Sequence, residues 1–157
     1  SEALRYDVKG RKYIGAGTKY YFEDVGIRNA VVDFRQTEYT HLMENVVYNE
    51  LRKQGYSVDV GSVESFKRDA NGKLQRRNFE IDFVVNRADE RLYIQSAYAL
   101  PDKEKVEQEQ ASLLNVNDGF RKVIIAGDRY ISNYNDDGIL MLSLFDFLLG
   151  KGGDVRK

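Results

Sequence analysis

The chain has 157 residues, 42% of them hydrophobic and 31% charged, with a net charge of −1; that balance predicts one globular domain able to bury roughly two-thirds of its unfolded surface. The absence of cysteine excludes disulfides and thiolate metal centres, and the single histidine, His41, excludes a polyhistidine zinc site. No apolar run approaches the roughly 18–20 residues that a membrane span needs; the lack of cysteine makes the cytoplasm the expected location, and with a net charge of −1 any binding to nucleic acid has to come from a local basic patch.

Residues 1–18 mix Arg5, Lys9, Arg11 and Lys12 with Gly10, Gly15 and Gly17 and show little apolar periodicity, which predicts a linker or tail arriving from an upstream domain. Residues 19–150 are expected to form the folded unit and 151–157 a flexible C-terminal tail, the whole being a fragment of a longer protein. Residues 19–27 give a short strand-like piece and 27–32 a short helix. Over residues 40–54 the period changes to that of a helix: Leu42, Met43, Val46, Val47 and Leu51 make one stripe, Thr40 is the expected cap and Gly55 the expected stop. Glu44 lies on the margin of that stripe, where a carboxylate reaches a neighbouring element without full burial. Residues 56–61 alternate as a strand. Lys67, Arg68, Lys73, Arg76 and Arg77 surround the Asn71-Gly72 turn signal, either as a solvated hairpin or as a phosphate-contacting patch for DNA or RNA.

Residues 79–98 form the expected centre of the fold. Phe79, Ile81, Phe83 and Val85 alternate with Glu80 and Asp82, which predicts one apolar face and one acidic face, and the polar break at 86–91 predicts a hairpin to 92–98. Glu80 is expected to face solvent, while Tyr93 and Tyr98 are expected in the core. Pro101 then opens a charged helix to about Leu114, residues 121–127 read as a buried strand, 139–142 as a last strand, and Ser143 caps a short helix over 144–149. No P-loop, dinucleotide fingerprint or serine elbow occurs in the sequence.

The resulting order of helix, three strands, helix and strand, with Glu44 on the first helix and Asp82 and Gln95 on successive strands, resembles the PD-(D/E)XK restriction-endonuclease-like core (αβββαβ), an α/β fold with a mixed central sheet flanked by helices. More narrowly, residues 19–30, 41–45, 80–83 and 93–98 look like the C-terminal domain of unassigned function found behind the P-loop domain of bacterial and archaeal AAA-type ATPases. The resemblance implies a degenerate site at Glu44, Asp82 and Gln95, which would hold Mg²⁺, if any, only weakly. Oxygen ligands of this kind hold the ion against a phosphate, and a lysine orients or activates the attacking water. The motif places that lysine at Ala97, which cannot serve, and Lys73 or Lys103 are the lysines considered as replacements. Two functions stay open. One is a catalytically degenerate module that binds nucleic acid or a protein partner for an upstream ATPase domain; the other is an active Mg²⁺-dependent endonuclease cleaving DNA phosphodiesters. Oligomeric state is open.

Overall fold

Strand β1 (Glu2–Asp7) and strand β2 (Lys12–Tyr20) open the chain, in a computed structural model that describes residues 1–31, 38–127 and 132–151. Next come α1 (Val25–Val31), α2 (Tyr39–Lys53), β3 (Ser57–Arg68), β4 (Leu74–Arg87), β5 (Glu90–Ala97) and α3 (Lys103–Leu114). The chain closes with β6 (Arg121–Ala126), β7 (Asn133–Tyr134), β8 (Leu140–Ser143) and α4 (Leu144–Leu149). The strands form one mixed sheet in the order β2-β1-β3-β4-β5-β6-β8-β7, antiparallel through β3-β4-β5 and parallel from β5 to β6 and β6 to β8. The parallel β5–β6 step is crossed by α3, as a parallel connection requires.

Helix α2 covers one face through Met43, Val47 and Leu51, packed with Phe83, Val85, Ile94, Val123 and Ile125. Helix α3 covers the other through Leu113 and Val106, packed with Ile81, Val84, Tyr93, Ile124 and Met141. Val47 and Leu51 are wholly buried, and burial of such side chains contributes roughly 1.5–3 kcal/mol each. No helix among the described residues is long and apolar enough to cross a membrane.

Four sequence expectations change. Residues 1–18 are not a linker. They build β1 and β2, with Ala3 and Val8 buried. The periodicity is weak because this pair lies at the sheet edge and because Ala3 faces Lys19 while Arg5 faces Ile14, so Gly15 and Gly17 fall in a bulge of β2. Gly17 has φ +84°, which favours glycine.

The single apolar face expected for residues 79–85 is broken by a second bulge. Asp59 faces Val84 and Gly61 faces Ile81, so β4 spends three steps where β3 spends two. Ile81 and Val84 therefore turn toward α3, whereas Phe83 and Val85 turn toward α2. Gly61 is required here, since a Cβ would stand 2.8 Å from Val84 Cγ2 and 2.9 Å from Ile81 Cβ.

Helix α2 starts after Glu38 rather than Thr40, and no side chain caps it, while Gly55 ends it at φ +87° as expected. Tyr98 is exposed rather than part of the core. Val32 of the expected short helix, and the expected tail apart from Lys151, lie outside the described residues.

Candidate functional site

The β4–β5 ladder stops at Phe83 and Ile94. Beyond that pair the two strands separate, and their backbones are tied by side chains. The Ser96 N–H donates to Asp82 Oδ2 at 2.8 Å, and the Asp82 N–H donates to Gln95 Oε1 at 3.4 Å. Asp82 is thus held at a fork between strands, with its side chain only 13% exposed.

Helix α2 brings Glu44 to the same place. Asn45 pins the neighbouring chain by accepting from the Phe22 N–H at 2.9 Å and donating to the Phe22 carbonyl at 2.6 Å. Tyr21 stacks on Tyr48 with ring centres 4.1 Å apart and donates its hydroxyl proton to Glu44 Oε1 at 2.5 Å. These contacts lock the end of β2 against α2, and Lys19 follows from them. Its ammonium lies 3.0 Å from Glu44 Oε1, 2.7 Å from Glu80 Oε1 and 4.0 Å from Asp82 Oδ1. Arg5 completes the cluster, 2.7 Å from the other oxygen of Glu80.

The electrostatics follow from crowding of charge under partial burial. Burial, then the Glu44 charge, pushes the Asp82 carboxyl up to about 7, against the opposing pull of the Ser96 N–H and Lys19. Burial acts to lower the Lys19 ammonium, but hydrogen bonds and charge from Glu80, Glu44 and Asp82 outweigh it and leave it raised. Glu80 is opposed by burial yet ends lowered, through Lys19 and Arg5. Burial raises the Tyr21 phenol, and the Glu44 charge and hydrogen bond raise it further, so it remains a proton donor.

Of the three residues that the motif implies, the structure brings Glu44 and Asp82 together around Lys19. Gln95 touches Asp82 only at its backbone, from the other face of the sheet: it aligns with Ile124 and shares the α3-facing parity of Tyr93 and Ala97, and its Oε1 accepts from the Asp82 N–H at 3.4 Å and from Ser112 Oγ of α3 at 3.2 Å. Ala97 is buried against that same layer. Neither Lys73 nor Lys103 supplies an amine to the cluster. Lys73 lies in the β3–β4 turn, its N–H held by Asp69, and Lys103 is paired with Glu107 on the surface of α3. The amine comes from Lys19, and Glu80 turns inward rather than facing only solvent. The alternation of Lys19 and Tyr21 downstream of two closely spaced glycines was the available signal. His41 pairs with Glu38 at 2.7 Å and lines a cavity of about 310 Å³ that opens onto Lys19, Arg28 and Glu44.

The basic residues lie on the outer arm of β3 and β4, all exposed. Strand pairing divides them. Phe66 faces Arg76 and Arg68 faces Leu74, on the parity of Glu80, whereas Ser65 faces Arg77 and Lys67 faces Gln75, on the opposite face. Arg68 and Arg76 therefore share the face that carries the acid cluster. Arg76 also pairs with Glu64. The β1–β2 turn lies beside the arm, because the Val8 N–H donates to the Ser62 carbonyl and Lys9 reaches the Glu64 carbonyl. It adds exposed Lys9, Arg11 and Lys12, which belong to the β1–β2 hairpin and not to a linker.

No family model matches this chain, and no solved structure matches it. A protein of Haemophilus influenzae described as uncharacterized is 34% identical over 148 residues, covering 94% of this chain and 33% of that protein. The chain thus spans about a third of the length of that curated relative.

Proposed function

We propose that this chain is a nucleic-acid-binding module on a restriction-endonuclease-like core, its former catalytic constellation converted into an internal charge cluster, and that it serves an ATPase domain of a longer protein. The element order α2-β3-β4-β5-α3-β6, with acids at the strand fork, supports the core assignment. The observation that carries the binding role is the exposed β3–β4 arm, which sets Arg68 and Arg76 on the face of the acid cluster. Phosphate contacts from such residues fix a strand in position without reading its sequence. The match to a third of a longer relative supports the modular context.

The residues present do not fit Mg²⁺ in this arrangement. The ammonium of Lys19 sits where a cation between Glu44 and Glu80 would have to sit, and the Gln95 oxygen is committed to Ser112 and the Asp82 N–H. No group of three acidic or histidine side chains poised for a metal occurs among the described residues. One observation favours the second reading, an endonuclease: the Lys19 amine, 4.0 Å from Asp82 Oδ1, is of the type that the motif lacks at Ala97.

The test is a paired assay on labelled DNA, measuring binding at low salt and cleavage with Mg²⁺. Binding without cleavage is expected. Cleavage at ordinary nuclease rates that Asp82→Ala abolishes would establish the endonuclease instead.

A further inference from the structure

Resting on the nucleic-acid reading above, we propose that the cavity beside Tyr98 receives an unpaired nucleobase, so that the module prefers single-stranded over duplex nucleic acid. The cavity, of about 490 Å³, is lined by Thr40, Ser96, Tyr98, Asp102, Gln108 and Glu109 together with neighbouring residues, a size typical of sites that enclose a small organic group.

Three observations converge on a base. Tyr98, 47% exposed, stacks on Tyr39, 61% exposed, with ring centres 5.5 Å apart and planes 19° apart. Two large rings stacked on each other outside the core offer a flat aromatic surface to a planar ligand. Second, Ser96 is only 7% exposed and its Oγ has no hydrogen-bond partner, although buried hydroxyls are ordinarily bonded. The cavity is thus lined at one point by a residue whose hydroxyl has no partner, although that oxygen is itself closed to solvent.

Third, the charge of the lining disfavours phosphate. Asp102, Glu104 and Glu109 face it, and Lys105 is already held by Glu109 at 2.5 Å. The Asp102 carboxylate also takes the Lys105 N–H at 2.8 Å, so the positive end of α3 is occupied. Carboxylate and amide oxygens accept hydrogen bonds from the exocyclic amines of bases. The position suits the ligand as well. The N–H of Ser96 holds Asp82, so one residue joins the cavity to the cluster face along which Arg68 and Arg76 would track a backbone. A paired base cannot enter without leaving its helix; an unpaired one can.

The test is fluorescence anisotropy at low salt with a fluorescein-labelled oligo-dC of about 15 nucleotides and with the blunt duplex of the same strand. The native protein is expected to bind the single strand more tightly than the duplex. Tyr98→Ala is expected to weaken single-strand binding by about 5- to 150-fold, the range that loss of one base–aromatic stack produces, and to leave duplex binding unchanged. Tyr98→Trp is expected to retain the preference, which guards against a mere folding defect. If Tyr98→Ala binds the single strand like the native protein while Arg68→Glu with Arg76→Glu weakens it, the base site is wrong and the binding module stands. If the native protein binds neither probe, both fall.

Discussion

The ammonium of Lys19 lies 3.0 Å from Glu44 Oε1, joining strand β2 at the sheet edge to helix α2 on its face. Lys19 is the cation common to Glu44, Glu80 and Asp82, and its removal leaves carboxylates facing one another under partial burial. Breaking a fully buried pair from one side costs about 3–5 kcal/mol; since Lys19 and Glu80 keep some solvent, Lys19→Met is expected to cost about 2 kcal/mol near neutral pH. Adding Glu44→Gln should recover part of that loss. Urea unfolding of the two single variants and the double variant checks this, and strictly additive losses would mean that the two side chains do not interact.

Asp82 gives the fold a pH dependence of definite sign. Its carboxyl is pushed up to about 7 in the folded chain, against about 3.9 when unfolded. Between those values the folded state holds a proton that the unfolded state has lost, so the contribution of this group to stability falls as pH rises toward 7. Asp82→Asn removes the penalty. The variant should melt higher than the native protein at about pH 8 and close to it at about pH 4.5, as differential scanning calorimetry would show. A lower Tm for the variant at the higher pH would contradict the assigned cause.

Much of the interior was legible in the sequence, because long periodic segments define α2, β3, α3 and β6 through the apolar layers that they bury. Two bulges were not. The β2 bulge at Gly15 and Gly17 erased the alternation that would have shown residues 1–18 as strands, and with it the reason for Lys19 to turn inward. The β4 bulge moved Phe83 and Val85 to the opposite layer from Ile81. Period-two reasoning carries no signal for an inserted residue, since one extra step exchanges the faces of everything beyond it. The face that Gln95 takes was hidden for a related reason: its spacing from Asp82 says nothing of where the ladder ends.

Gly61 is expected to tolerate no side chain without a shift in β4. Its missing Cβ leaves the space that Val84 and Ile81 occupy on either side of the β4 bulge. Gly61→Ala forces those side chains to shift and should cost about 1–3 kcal/mol through overpacking. It should also disturb the hydrogen bond from the Ser96 N–H to Asp82, which amide exchange at Ser96 would report as faster opening. Unchanged stability would mean that the bulge yields freely.

The central claim is that a nucleic-acid backbone runs along the cluster face of the β3–β4 arm, and the salt dependence of affinity tests it most directly. Anisotropy titrations of a labelled single strand between about 50 and 200 mM salt would compare the native protein, Arg68→Glu with Arg76→Glu, and Lys67→Glu with Arg77→Glu. Each lost phosphate contact lowers the slope of log affinity against log salt by about one. The account predicts that the Arg68 and Arg76 pair weakens binding and flattens the slope by up to about two, while the Lys67 and Arg77 pair on the opposite face does so far less. No detectable binding by the native chain at the low-salt end, or an unchanged slope after reversal at Arg68 and Arg76, would contradict it.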